Sequence, residues 1–259
     1  MGARTTALTA LIACRRQGAW SDGILKEYTA RDRLERRDAA LAATLTYGVM
    51  QNRMLLDHYL EQVVSGGLSR LQPAMLDILR LGAYQILLLD KIPDSAAVNE
   101  AVEQTKRYVN QKAAGMTNGA LRALSRKKGS LNEPRDLATK YSHPQALVEL
   151  LMQSVGENQI EPFLRADNEP APTCLQINPL LSNPDEVERA LTEQDILFRK
   201  HPWLPGCYLV TGTGNLARLE LFTSGKVYVQ DASAKLAAMA AGVQPGMCVL
   251  DTCAAPGGK

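Results

Sequence analysis

The apolar residues of this chain keep one period through residue 130 and lose it afterwards. In the first stretch they recur every three or four positions, the repeat of one helix face, and nothing alternates as a strand does. "TTALTALIACRRQGA" places Leu8, Leu11 and Ile12 together. "RRDAALAATLTYGVMQNRMLLDHYLEQVV" continues through Leu41, Leu45, Leu55, Tyr59 and Leu60, with a break expected near Gly48. In "LQPAMLDILRLGAYQILLLD", Pro73 opens a helix at a place where its missing N–H removes no bond. Leu76, Leu79, Ile86 and Leu87 make that helix apolar almost all round, so it is expected at the centre. "IPDSAAVNEAVEQTKRYV" starts at a cap, Asp94 or Ser95. "MTNGALRALSRKKGS" stops at Gly129 behind three cations, which suits a helix C-terminus.

After "GSLNEP" the pattern changes, and Pro134 marks a linker. "YSHPQALVELLMQSVG" reads as a short helix capped by Ser142, opened by Pro144 and stopped by Gly156. "TCLQINPL", "DILFRK", "CYLVTG" and "KVYVQD" are strand candidates. "SNPDEVERALTEQ" opens a helix with Asn183 as cap, and "ASAKLAAMAAG" is a helix ended by Gly242. The expected organisation is multidomain: an all-α domain over 1–130, a linker and small α+β module over 131–224, and the start of an α/β domain over 225–259.

The formal charge of +2 conceals an asymmetry. Residues 1–130 carry 19 Lys and Arg against 12 Asp and Glu, whereas residues 131–259 carry 10 against 15. A basic helical half suits a polyanion, or is simply a solvated surface. The candidate phosphate contacts are Arg15, Arg16, Arg36, Arg37, Lys106, Arg107, Arg126, Lys127 and Lys128. Aromatic residues make up only 5% of the chain, so base stacking is not expected to dominate. The five cysteines are scattered and odd in number, which supports neither a disulfide framework nor a metal site. Reduced thiols, no apolar run of membrane length and no secretory leader point to a cytoplasmic protein away from membranes, expected as a monomer. His143, before Pro144, reads as a cap or core residue; His58 and His201 receive no role.

The last residues, "PGMCVLDTCAAPGGK", read as a turn, a buried strand over Met247–Leu250 and a glycine loop. Ligands of open parallel sheets bind at the carboxyl ends of strands, where small residues let the backbone come close. The spacing is neither GxGxxG nor GxxxxGK[ST], so neither a dinucleotide nor a nucleoside triphosphate is indicated. "DTCAAPGGK" resembles the first S-adenosylmethionine-binding motif of the RNA cytosine-C5 methyltransferase family. "ILRLGAYQILLLDKIPDSAAVNEAV" and "NGALR" resemble a NusB-like RNA-binding domain, and "YSHPQALVELLMQSVG" and "VQDASAKLAA" resemble that family's middle region. The resemblance implies a NusB-like helical domain, a small α+β module and the beginning of a Rossmann-like methyltransferase domain. It assigns S-adenosylmethionine to Cys253, Ala254, Ala255, Pro256, Gly257, Gly258 and Lys259, and makes small-subunit (16S) rRNA the partner. The chain departs from the pattern in three places. An aromatic is expected near Gln145-Ala146, an Arg where Gln176 stands, and Ser-Gln where Ala234-Lys235 stand.

Carbon C5 of cytosine is not nucleophilic. A thiolate adding at C6 makes C5 enamine-like, and it can then accept a methyl group. The resemblance implies that the thiolate and its acidic neighbour come from motifs downstream of Lys259. No catalytic residue is therefore assigned, and this stretch alone is expected to be inactive. Cys253 lies inside the cofactor loop, where a packing role is expected. The alternative reading is an RNA-binding, antitermination-type NusB-like protein without catalysis.

Overall fold

The computed structural model describes residues 2–18, 20–211, 216 and 219–255. The chain divides after Glu169 into two units.

The first unit contains α1 (Ala3–Gln17), α2 (Ser21–Arg31), α3 (Arg36–Gln51), α4 (Arg53–Glu61), α5 (Pro73–Leu88), α6 (Asp94–Tyr108) and α7 (Ala114–Lys127). As the pattern predicts, α5 is central: α1, α3, α4, α6 and α7 all pack on it. Ile78, Leu79, Leu81 and Ile86 are fully buried there, each stabilising the fold by about 1.5–3 kcal/mol. Three polar residues of α5 find partners on other helices. Arg4 donates to Gln85 at 2.6 Å, Arg15 donates to Asp77 at 2.8 Å, and Arg80 grips Asp57 through two bonds of 2.7 and 2.6 Å. Burial pushes the Asp77 carboxyl above its ordinary value, even though Arg15 and Arg80 pull it down.

The helix break falls at Asn52, four residues beyond the expected Gly48. Gly48 serves packing instead, because a Cβ there would lie 2.0 Å from Cζ of Tyr84. Pro93 precedes α6, so Asp94 is its first helical residue, and the Asp94 carboxylate accepts from the Ser125 hydroxyl at 2.5 Å.

Three short helices follow within the same unit: α8 (Leu137–Tyr141), α9 (Gln145–Val155) and α10 (Glu157–Asp167). Residues 131–134, expected as a linker, are held against α4. The Asn132 carbonyl lies 2.8 Å from His58 Nε2 and accepts from Gln62 at 2.9 Å, while Tyr59 donates to Glu133 at 2.7 Å. Ser142 does not cap α9. It ends α8 in a left-handed conformation, φ 54°, and its hydroxyl accepts from the Leu55 N–H at 3.1 Å. That N–H belongs to the first turn of α4, whose donors have no partner within the helix. His143 is buried and joins the Tyr141 carbonyl to Asp167, a structural role. Sequence periodicity missed α10, which carries Pro162 in its second turn.

The second unit contains β1 (Thr173–Ile177), α11 (Pro184–Glu193), β2 (Leu197–Lys200), β3 (Cys207–Thr211), α12 (Glu220–Thr223), β4 (Val227–Val229) and α13 (Ala232–Ala240). The four strands coincide with the four candidates. All pairings are antiparallel, in the order β2-β3-β1-β4. A β-α-β-β-α-β chain with this order is the ferredoxin-like arrangement. Asn183 caps α11 by accepting from Glu186 N–H at 3.0 Å, with Pro184 in the first turn. Leu175, Val187, Leu191, Tyr208 and Val210 form the core between this helix and the sheet. Cys174 and Cys207 bury their thiols 3.4 Å apart, and burial pushes the Cys174 thiol up to about 12.

Two positions at which the resemblance leads one to expect other residues touch one another. Lys235 of α13 donates to Gln176 of β1 at 2.8 Å, and also to the Pro205 carbonyl. Lys235 thus ties α13 to the sheet. The expected strand over Met247–Leu250 does not form. Met247, Cys248, Val249 and Leu250 are exposed, and no described strand runs beside them to satisfy their backbone. Cys248 is therefore exposed rather than in the core. No helix among the described residues is long and apolar enough to cross a membrane.

At Gly82 the backbone of α5 lies against Leu121 of α7. A Cβ there would lie 2.6 Å from Leu121 Cδ1, and Leu121 is fully buried with no room to yield. Gly82→Ala should therefore destabilise the protein by about 1–3 kcal/mol, despite alanine's better helix propensity. Urea unfolding measures this; an unchanged or raised midpoint would show that Leu121 repacks freely.

Candidate nucleic-acid interface

The C-terminal ends of α1, α2 and α6 meet around a cavity of about 480 Å³. Arg16 comes from the first helix, Tyr28 and Arg31 from the second, Arg107 and Tyr108 from the third. Ile12, Ala13 and Ala74 supply apolar lining. Each helix puts its cations in its last turn, where the backbone dipole favours positive charge. Convergence of the three ends sets three guanidiniums on one cavity with no carboxylate among its described lining residues, although Asp32 pairs with Arg31 beside it.

Arg31 is held in place. Its Nε donates to Asp32 Oδ1 at 2.8 Å, its Nη2 donates to Oδ2 at 3.2 Å, and its guanidinium lies 4.0 Å above the Tyr28 ring. Thr6 of α1 also donates to Asp32 at 2.7 Å. The Arg31 hydrogen bond, seconded by Thr6, holds the Asp32 carboxyl below its ordinary value. Arg107 lies 5.3 Å from the Tyr108 ring centre. Arg16 and Arg107 have no carboxylate partner among the described residues.

The other candidate phosphate contacts do not gather here. Arg15 is committed to Asp77. Arg36 and Arg37 are exposed in the first turn of α3, at the helix end that disfavours cations. Lys106 pairs with Glu103 at 2.5 Å. Arg126 lines a separate cleft with Arg122, and Lys127 and Lys128 are exposed at the end of α7. Tyr28, Arg31 and Tyr108 went unread in the sequence. The available signal was the spacing of Tyr28 and Arg31, three apart on one helix face, and the adjacency of Arg107 and Tyr108.

Of the residues assigned to the cofactor loop, Cys253, Ala254 and Ala255 are exposed, and Pro256, Gly257, Gly258 and Lys259 lie outside the described residues. Cys253 N–H donates to Asp251 Oδ1 at 2.8 Å, so Asp251 orders the turn. Small side chains at 253–255 allow a ligand to approach the backbone, but the walls of a pocket are not among the described residues. No group of three or more His, Cys, Asp or Glu fit to hold a metal occurs among the described residues.

The model of the NusB family matches residues 1–126, which span α1 to most of α7. The model of the Methyltr_RsmF/B-like, ferredoxin-like domain matches residues 143–216, from the start of α9 past β3. A protein of Bacillus subtilis (strain 168), "Probable ribosomal RNA small subunit methyltransferase B", is 32% identical over 261 residues, covering 99% of this chain and 58% of its own length. A protein of the same description from Synechocystis sp. is 32% identical over 265 residues, covering 100% of this chain and 59% of its own. Along nearly its whole length this chain is similar to proteins described as ribosomal RNA small subunit methyltransferase B, and it matches the NusB and ferredoxin-like models in that order. It spans just under three-fifths of the length of those relatives. The crystal structure of PH0851 shares the fold, with a TM-score of 0.63 and 19% identity over 93% of this chain and 56% of that one. The NusB-like match thus takes in α1 to most of α7 of the helical unit, and the ferredoxin-like match takes in α9, α10 and the first three strands of the sheet.

Asp32 anchors the cleft's most constrained arginine, and its depressed pKa fixes the sign of its contribution. A carboxylate of this kind stabilises the fold above its unfolded pKa, and the contribution is lost as pH falls through the lower folded value. Asp32→Asn should therefore be less stable than wild type at neutral pH, with the gap closing below about pH 4. Unfolding free energies measured from pH 2 to 7 check this. A gap that is constant with pH would mean the carboxylate's charge is not used.

Proposed function

We propose that this chain is the RNA-recognition part, and the opening of the catalytic part, of a 16S rRNA cytosine-C5 methyltransferase that uses S-adenosylmethionine in the cytoplasm. The observation that carries the reading is the match to the family over essentially the whole chain, with "DTCAAPGGK" at residues 251–259. In this reading residues 1–130 bind rRNA, residues 131–224 connect and orient, and residues 225–259 begin the Rossmann-like domain. The loop Cys253–Lys259 holds the cofactor, which supplies the methyl group. The cleft of Arg16, Arg31 and Arg107 takes consecutive phosphates, with Tyr28 and Tyr108 alongside for sugar or base faces.

Affinity for a small-subunit rRNA fragment should fall steeply with salt, because each neutralised phosphate releases counterions. Arg16→Ala/Arg107→Ala should flatten the log–log salt slope by roughly 1.5–2, whereas Arg36→Ala/Arg37→Ala should change it by less than about 0.5. Fluorescence anisotropy across a potassium chloride series measures both. Salt-independent binding, or none at low salt, would refute the RNA reading.

The cofactor assignment has a separate test in a polypeptide of the relatives' full length. Gly257→Val places a branched side chain where the backbone must approach the ligand, so it should weaken S-adenosylhomocysteine binding in calorimetry about tenfold or more. RNA affinity should stay unchanged. Equal cofactor affinity in the folded variant would reduce the loop to a turn and leave an RNA-binding protein without catalysis.

A further inference from the structure

Beside the arginine cleft lies a second cavity of about 370 Å³, and the two share Arg107 and Tyr108. Their linings differ in charge. The first holds three arginines and no acid. The second holds Glu100 and Glu103 against Lys106 and Arg107, with Thr5 at the start of α1. A balanced lining does not attract phosphate over any other group, whereas an all-cationic one does.

Gln104 also lines the second cavity. It is 4% exposed, and its amide nitrogen has no hydrogen-bond partner among the described residues. A buried amide left unbonded is costly, and native structures rarely retain one without a use. Its terminal torsion is broad and two-fold, so a half-turn exchanges the nitrogen and oxygen with little change of shape. The nitrogen is enclosed as it stands, so this half-turn or a small shift of the side chain is what presents a donor or an acceptor to whatever enters the cavity. Glu100 carries a carboxylate with no partner among the described residues, an acceptor facing the same space.

We propose that Gln104 and Glu100 form a base-reading subsite, in which an RNA base enters the neutral cavity while its backbone phosphates lie in the adjoining arginine cleft. The proposal rests on the RNA-binding reading above. The chemistry selects the base. An amide donor suits a ring-nitrogen acceptor, and a carboxylate suits an exocyclic amine. Adenine and cytosine present these two groups side by side, whereas uracil has no exocyclic amine. The shared Arg107 and Tyr108 lie where one nucleotide's phosphate passes to its base, and the Tyr108 ring provides a face for that base.

The test uses this chain and labelled uridine dodecamers carrying one central adenosine, cytidine, guanosine or uridine. Wild type should bind the adenosine or cytidine oligomer about tenfold more tightly than the all-uridine one. Gln104→Met keeps the length of the side chain and removes the amide. It should bind all four with the affinity wild type shows for uridine, with an unchanged salt slope and a melting temperature no lower than wild type. Glu100→Gln replaces a half-exposed residue, leaves the core untouched, and should also erase the preference. Equal wild-type binding to all four, or a preference that survives in both variants, overturns the subsite and leaves the phosphate cleft standing. Absence of binding to any oligomer at low salt removes the RNA reading and the subsite together.

Discussion

The central helix α5 has no face to give to water, and five helices of the first unit are placed by that fact. Its apolar residues require cover all round, which α1, α3, α4, α6 and α7 provide. Apolar burial alone is non-directional and would tolerate these helices sliding along α5. The polar residues of α5 remove that freedom. Arg4–Gln85 and Arg15–Asp77 fix α1 at two heights, and Arg80–Asp57 fixes α4. Losing one partner of such a half-buried pair leaves the other without its bond, so alternative registers are disfavoured even where the intact pairs add little net stability. In Asp77 the two effects compete openly: burial outweighs two neighbouring arginines and raises its pKa.

The arginine cleft is a consequence of this packing. Arg16, Arg31 and Arg107 stand in last turns, where helix dipoles alone would explain them. Only the packing of α1 and α6 on α5, with α2 on α1, brings those ends together, with tyrosines in contact and no acid among the described lining residues. The adjoining neutral cavity comes from the same convergence, since α6 presents Arg107 to one space and Gln104 to the other.

The second unit depends on a different economy. Its sheet covers one face with α11 and is tied to α13 through the Lys235 amine on Gln176 and the Pro205 carbonyl. Gln176 and Lys235, far apart in sequence, are one contact in space.

The sequence by itself determined the elements. Helical period through residue 130, Pro73 and Asn183-Pro184 at helix starts, and four β-rich segments are local properties of backbone and side chain, and they were legible without a fold. The motif "DTCAAPGGK" was equally local. What failed in the reading depended on neighbours. Gly48 read as a break but is a crossing point for Tyr84, and Ser142 read as a cap of α9 but caps α4 from 87 positions away. Met247–Leu250 has the composition of a strand, yet a strand exists only with a ladder beside it. Arg15 and Arg16 are identical neighbours in sequence, and tertiary structure alone turned one to Asp77 and the other to the cleft. A charge's role depends on what lies within a few ångströms of it, and adjacent helical residues face directions about 100° apart.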